Sequence, residues 1–551
     1  MDEASANGSG GNSGQGYQLL IKQLLFAPAV RNPDQQIVYR DLKRLTYRQF
    51  HARVAQLANA LTSLGIGQGD VVAVMDWDSH RYLECFFAIP MIGAVLQTVN
   101  IRLSPEQILY TLNHARPKLL LVNTEFLPLL KEVGARVESV KDIILIVDDA
   151  VAPIEARQFS KEYESWIAAQ PPRFDFPDFS ENMPATTFYT TGTTGLPKAV
   201  HFTHRQLVLH TLAALATYGT AAVQGRLHQA DVYMPITPMF HVHAWGLPYA
   251  ATTLALKQVY PGRYSPETLL RLKKTEGVTF SHCVPAILHM LLSDRAGQDV
   301  DMHGWKIITG GSALPKGLAL AAEERGIDIF CGYGMSETGP LSTIAHLAPS
   351  FHRDPDKDID TRITAGRPVI LVEVRTVDTS MRDTPRDGVT AGEVVLRSPW
   401  LTQGYRGDPE GTRKLWEGGY LHTGDIGILG EDGYLRLVDR LKDVIKTGGE
   451  WVSSLDIENV ISQHPAVGEV AVIGVKNDRW GERPVALVVL KAAGAELTPD
   501  DIKAHMARYV SSGAISKYGV PDDIRFVESL PKTSVGKLDK KLMRDQFGEG
   551  R

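Results

Sequence analysis

The chain has 551 residues, 44% hydrophobic and 22% charged, a globular balance that excludes a disordered polypeptide. With 58 basic and 63 acidic side chains the net charge is −5, so no global field exists to hold a nucleic acid. The 3 cysteines are too few for a disulfide framework or a cysteine-rich zinc cluster, and a reducing cytoplasmic location is expected.

Residues 1–16 are acidic and then rich in Gly and Ser, which predicts a flexible tail and no secretory signal. Thr46 with Gln49 makes a capping box, and Phe50, Val54, Leu57, Leu61 and Leu64 then share one helical face before Gly65. Val71 to Met75 reads as an apolar strand. The run 86–99 contains Pro90, Gly93 and Gln97 and falls short of the roughly 18 apolar residues of a membrane span. It predicts a buried core helix, with no transmembrane segment; peripheral membrane contact stays open. Ser104, Pro105 and Gln107 open another helix that should stop before Pro117, and Leu119 to Val122 and Ile143 to Val147 follow as strands. Apolar strands alternating with amphipathic helices predict an α/β fold with parallel sheets covered on both faces.

The pattern changes near residue 440. The charged stretch Asp439-Arg440-Leu441-Lys442-Asp443 precedes Gly448-Gly449, and a second complete pattern of elements follows. Ser453 with Asp456 starts a helix, Val470 to Val475 and Ala486 to Leu490 read as strands, and Thr498-Pro499-Asp500-Asp501 opens another helix. Two domains joined by a charged hinge are expected, with a ligand between them.

Four segments carry candidate chemistry. Tyr189-Thr190-Thr191-Gly192-Thr193-Thr194-Gly195-Leu196-Pro197-Lys198 offers hydroxyls, backbone N–H groups and one cation, a cradle for a polyphosphate. It is not a Walker A loop, which needs Gly at Pro197 and Ser or Thr at Ala199. Gly332-Tyr333-Gly334-Met335-Ser336-Glu337-Thr338 supplies close backbone approach, a flat ring for a purine and a hard oxygen for Mg²⁺. Thr423-Gly424-Asp425 presents a carboxylate for ribose hydroxyls, and Pro531-Lys532-Thr533-Ser534-Val535-Gly536-Lys537 is a basic turn. Taken singly, each has a plain reading: a Thr/Gly turn, a solvated carboxylate, an ordinary Gly-Asp turn, a surface lysine.

Their order, YTTGTTGLPK, GYGMSET, TGD, DRLKD and PKTSVGK, resembles the ANL superfamily of adenylate-forming enzymes across nearly the whole chain from Tyr17. Within it the chain looks most like a medium- or long-chain fatty acyl-CoA synthetase. Ala199 stands where many members have Gly, and Lys442 where many have Asp. The resemblance implies a large N-terminal α/β domain with parallel-rich sheets and flanking helices (17–441). A small, mobile α+β C-terminal domain (442–551) would complete it. By resemblance, Thr190, Thr191, Gly192, Thr193, Thr194, Gly195 and Lys198 hold the β- and γ-phosphates, and Glu337 binds Mg²⁺. Gly311, Ser312, Ala313 and Tyr333 frame adenine, Thr338 lies beside the α-phosphate, and Asp425 and Arg440 bind the ribose. Lys442 is the hinge, and Lys537 reaches the α-phosphate and the carboxylate. Lys446, Gly448 and Gly449 line the tunnel for CoA.

The segment Pro238-Met239-Phe240-His241-Val242-His243-Ala244-Trp245-Gly246 resembles the acyl-pocket gate of fatty acyl ligases, with His241 and Trp245 at the passage. Gly310 and Gly334 would leave room for an acyl chain. A zinc site on His241 and His243, facing one side of a strand, is disfavoured for lack of further ligands at suitable spacing; His243 also reads as a core histidine.

The physical need for such a set is clear. A carboxylate is a poor electrophile, and joining it to AMP supplies a good leaving group. The nucleophile is already an anion, so no general base is required, and Mg²⁺ and lysine must offset the repulsion between reactants. The expected activity is an ATP-dependent acid–CoA ligase: a small-molecule carboxylic acid becomes acyl-AMP with release of pyrophosphate, then a CoA thioester. The alternatives are an aryl acid–CoA ligase and an adenylating enzyme with a carrier-protein or oxygen acceptor. The chain ends at Arg551, soon after Lys537, so a fused carrier domain is not expected. A non-enzymatic acyl- or nucleotide-binding module should have lost Lys198, Glu337, Asp425 or Lys537, and all are present. A homodimer is left open.

Overall fold

The computed structural model describes residues 16–148, 161–190, 196–221, 225–294, 300–348, 355–447, 450–491, 497–512, 515–533 and 536–548. The tail 1–16 thus lies almost wholly outside the described residues.

The capping signals act where the residues place them. Thr46 and Gln49 form the reciprocal box that opens the helix Tyr47–Ser63, whose Phe50, Val54, Leu57 and Leu61 are buried. Ser104 and Gln107 do the same for Pro105–Ala115, and Thr498 and Asp501 for Pro499–Ser511. The run 86–99 departs from expectation. A helix, His80–Met91, fills only its first part; Gly93 adopts φ 82°, and Val95–Thr98 is a strand. Proline at 90 and a left-handed glycine stop the helix and turn the chain into the sheet. All 12 residues of that helix are buried, because it is packed into the core shared by the two large sheets.

Those sheets are mainly parallel. Strands Asp142–Ile146, Leu119–Asn123, Val71–Met75, Val95–Thr98, Pro184–Thr190 and Lys198–Thr203 form a six-stranded sheet in that spatial order. Its last pair is antiparallel, with Thr190 opposite Lys198. In the nine-stranded sheet, Gln36–Tyr39, Lys257–Tyr260, Val232–Pro235, Phe280–Cys283, Lys306–Thr309 and Asp328–Gly334 run parallel side by side. Antiparallel strands complete its two edges.

Two smaller sheets follow. Glu373–Val377, Ala391–Arg397, Leu421–Leu429 and Leu435–Arg440 form an antiparallel four-stranded sheet. After residues 441–444, a five-stranded sheet built on the long pair Val467–Asn477 and Gly481–Leu490 carries the helices Ser454–Ser462 and Pro499–Ser511. It has its own apolar core around Ile457, Ile461, Val472, Val488 and Met506. Among the described residues no helix is long and apolar enough to cross a membrane.

Candidate active site

The carboxyl ends of the parallel strands in the nine-stranded sheet open onto one cleft, where ligands of open α/β sheets bind. Phe280–Cys283 leads to Val284, Lys306–Thr309 to Gly310 and Gly311, and Asp328–Gly334 ends in the glycine-flanked Tyr333. The cleft is narrow, with a cavity volume of about 40 Å³. His241, Trp245, Gly310, Gly311, Tyr333 and Gly334 line it, and so does Lys537, more than 200 positions further on than most of them.

Lys537 arrives on a self-bonded turn. The Thr533 N–H donates to the Lys537 carbonyl (2.6 Å), while the Lys537 N–H donates to Thr533 Oγ1 (3.2 Å). Its side chain passes so close to Gly311 that an added β-carbon there would lie 2.9 Å from Lys537 Cε. Gly311, at φ 81°, is favoured by its left-handed conformation, and a side chain there would displace the flexible end of Lys537. Burial, and then the neighbouring Arg440, pushes the Lys537 ammonium down to about 8.

The acidic partners sit on two different strands. The Tyr333 hydroxyl donates to Asp425 Oδ2 (2.7 Å), and Arg440, opposite Asp425 in the antiparallel register, stands 3.6 Å from Oδ1. Burial raises Asp425 above the usual carboxylate range, against the pull of Arg440. Glu337, only 6% exposed, accepts the Tyr405 hydroxyl at Oε1 (2.6 Å) and is likewise raised by burial. Thr338 is buried behind it, with Oγ1 accepting the Met335 N–H (3.0 Å).

Tyr405 and Asp408 contact the candidate residues Lys198 and Glu337, and motif reading missed both. The Lys198 ammonium lies 4.5 Å above the Tyr405 ring and 3.3 Å from Asp408 Oδ2, so Tyr405 links Lys198 to Glu337. The signal for Asp408 was legible as an Asp-Pro helix start, since it caps Pro409–Leu415. Nothing local marked Tyr405.

The apolar end of the cleft rests on an unusual backbone. Val242, His243, Ala244 and Trp245 all have φ between 47° and 59°, a left-handed run continued by Gly246. Each non-glycine residue there costs about 1–2 kcal/mol, so the surrounding structure must hold it. Asp78 accepts the Met239 N–H (2.7 Å), Thr98 Oγ1 donates to the Phe240 carbonyl (2.9 Å), and Thr186 Oγ1 bonds His243 Nε2 (2.7 Å). His241 and His243 therefore sit at a left-handed turn, which also removes the strand that the disfavoured zinc reading would have needed. His243 packs between Phe86 and Phe188 as a core histidine, and burial lowers it to about 3. His241 is lowered to about 3 by burial and then by Lys537, so it is neutral at physiological pH. Trp245 stands against Gly310, where a β-carbon would come within 3.1 Å of its ring. At Gly334 a β-carbon would meet the Pro340 carbonyl oxygen at 1.5 Å, so no side chain fits there.

Other sequence candidates fall outside this cluster. Ser312 follows Gly311 partly exposed, Ala313 is exposed, and Lys442 is an exposed residue of the link between the two smaller sheets. Lys446 is exposed on the strand Ile445–Thr447, its N–H bonded to Glu482 (2.9 Å). Thr190 ends its strand opposite Lys198, but Thr191, Gly192, Thr193, Thr194 and Gly195 lie outside the described residues, as do Gly448 and Gly449. Among the described residues no group of three or more His, Cys, Asp or Glu side chains is placed to hold a metal ion. Glu337 fits Mg²⁺ in the manner that ion favours, one carboxylate with the remaining ligands from phosphate and water, and its burial favours a nearby cation.

The sequence pattern of AMP-binding enzymes matches residues 25–406, and that of the AMP-binding enzyme C-terminal domain matches 456–537. The chain belongs to the AMP-binding enzyme family. Among its curated relatives, the long-chain-fatty-acid–CoA ligase of Thermus thermophilus is 39% identical over 513 residues, covering 92% of this chain and 91% of that protein. The 3-methylmercaptopropionyl-CoA ligase of Ruegeria lacuscaerulensis is 36% identical, covering 96% and 97%. Of solved structures, that of the anthranilate CoA ligase AuaEII in complex with anthranoyl-AMP superposes with a TM-score of 0.83 at 25% identity, over 96% of this chain and 97% of that one. These matches establish an AMP-binding enzyme with the two-part α/β architecture of the family.

Proposed function

We propose that this enzyme is an ATP-dependent acid–CoA ligase acting on medium- or long-chain fatty acids. The carrying observation is the entry of Lys537 into the cleft, beside Gly311 and within the field of Glu337 and Asp425. In the first half-reaction a carboxylate oxygen attacks the α-phosphorus of ATP and pyrophosphate leaves. The Lys537 ammonium offsets the charge gathered by the two anions, and no base is needed. Tyr333, Asp425 and Arg440 hold the nucleoside, with Gly311, Ser312 and Ala313 along the adenine. Lys198, Thr190 and the residues 191–195 hold the terminal phosphates, and Thr338 lies beside the α-phosphate. Glu337 would hold Mg²⁺, which when bound neutralises phosphate charge.

In the second half-reaction the CoA sulfur attacks the acyl carbonyl, its proton is lost to solvent and AMP departs. The reading divides the chain at 441/442, supported by the gap between the sheet strand ending at Arg440 and the one starting at Ile445. Rotation at Lys442 withdraws Lys537 and brings Lys446, Gly448 and Gly449 to the thiol. A fatty acid is supported by the cleft wall of Val242, Trp245, Ile308, Met335 and Leu341, which with neutral His241 offers no second charge to pair with a polar acid. The reading extends to a cytosolic location, supported by three free, buried cysteines.

The test is a panel of saturated, branched and aromatic acids, each with ATP, with and without CoA. Aliphatic acids should yield AMP and pyrophosphate, with sustained turnover only when CoA is present. Production of ADP and inorganic phosphate with every acid would overturn the adenylation reading. Preference for aromatic acids would overturn the fatty-acid part alone.

A further inference from the structure

Lys537 enters the cleft with the C-terminal unit in one orientation, held by several contacts that include the Lys316 N–H to Asn459 Oδ1 bond (2.8 Å) and, next to the link, a buried carboxylate that acts as a clasp. Asp439 is 5% exposed at the end of the strand Leu435–Arg440, on the near side of the link at 441–444. Strand side chains alternate, so Arg440 faces the Asp425 side while its neighbour Asp439 faces the opposite way, towards the C-terminal unit. There Asp439 Oδ2 accepts both the N–H (3.0 Å) and the hydroxyl (2.5 Å) of Ser454, the first residue of the helix Ser454–Ser462. A carboxylate at a helix start meets unpaired N–H groups and the positive end of the helix dipole. Next to it the Ser453 hydroxyl donates to the Val438 carbonyl (2.6 Å).

The far side of this clasp runs straight to Lys537. The Lys540 ammonium donates to Ser454 Oγ and pairs with Glu458 Oε1 (2.7 Å), with both charged side chains nearly buried. Lys540 begins the helix Lys540–Phe547, and Asp539, just before it, bonds back to the Pro531 carbonyl (2.9 Å), closing the turn that carries Lys537. Asp439, Ser454, Lys540 and Lys537 are thus one connected path, and only its Asp439–Ser454 step crosses the link.

We propose that Asp439 is a positioning residue for adenylation: its clasp on Ser454 holds the C-terminal unit with Lys537 in the cleft and must open before thioester formation. This rests on the two-step reading proposed above, in which the unit rotates about Lys442. A rotation there carries Ser454 away from Asp439, whereas the Arg544–Asp443 pair (2.6 Å) lies beyond Lys442 and moves as one piece. The clasp therefore biases a two-state equilibrium towards the adenylation orientation.

The test measures two rates separately: acid-dependent exchange of pyrophosphate into ATP, and single-turnover thioester formation from preformed acyl-AMP and CoA. Asp439→Asn keeps the shape and removes the charge; Ser454→Ala removes the hydroxyl. Each should lower exchange by about tenfold while leaving the thioester rate unchanged or faster. General damage to the fold lowers both rates together. Equal loss in both, or no change in either, would overturn the proposal, and if Asp439→Asn fails to fold, Ser454→Ala decides by the same criterion. Arg544→Ala serves as the control and should keep the wild-type ratio of the two rates; a shifted ratio there would also overturn the clasp. Lys537→Ala is run in parallel. If that variant exchanges pyrophosphate normally, the two-step reading itself fails; if it loses exchange as expected, a failed Asp439 result counts against the clasp alone.

Discussion

The cleft has a fixed side and a delivered side, and they are built differently. The fixed side is made of strand ends and glycines of the nine-stranded sheet, with Tyr333 bonded to Asp425 across to the four-stranded sheet. That bond joins two sheets that both precede the link at 441–444. The delivered side is a single ammonium on a short turn, reached from a unit with its own core. A static wall can orient reactants through both steps, but a cation needed in only one step is better carried on a part that can leave.

Removing the delivered group should break this contrast most severely. Lys537→Ala is expected to cut pyrophosphate exchange by roughly 10²–10³-fold, as for loss of one preorganised electrostatic group, while sparing thioester formation from preformed acyl-AMP. Lys442→Pro, which fixes φ at the link, should slow the thioester step by about tenfold or more relative to adenylation. Equal losses in the two steps would remove the reason for separating the two sides.

The fixed side should respond one substrate at a time. Asp425→Asn deprives Arg440 of its charged partner and should raise KM for ATP by roughly tenfold with KM for the acid unchanged, measured by AMP release. A pH profile sharpens the comparison further. Lys537 is a cation below about 8 and neutral above it, so exchange measured as kcat/KM should fall as pH rises past about 8. Lys537→Arg should erase that alkaline limb, whereas His241, neutral down to about 3, should contribute no limb between pH 5 and 8. The smallest effect is expected from Gly310→Ala. Its β-carbon would press on Trp245 at 3.1 Å and on the Gly332 carbonyl oxygen at 2.8 Å, so the backbone before Tyr333 must shift; acid KM should rise by about threefold, with a smaller rise in ATP KM.

Sequence reading located the helix starts and most strands because those signals are local. A Thr or Ser cap and its Gln or Asp partner stand three positions apart, and an apolar stripe repeats within a turn or two. It misread 86–99 because a buried strand and a buried helix are alike in composition, and the glycine that separates them acts through backbone conformation. Tyr405 was invisible because its partners, Glu337 and Lys198, are distant in the chain and no pattern around it announces them.

What the sequence alone determined is the alternating α/β plan and the order of motifs that marks the family. Each depends on residue types within a few positions of one another, or on segments recognised whole. Only the tertiary structure decided that Lys537 lies against Gly311, that a left-handed run from Val242 to Gly246 shapes the apolar end, and that Asp439 grips Ser454. Those are encounters between distant parts of the chain, set by how four sheets pack, and packing is a property of the whole fold.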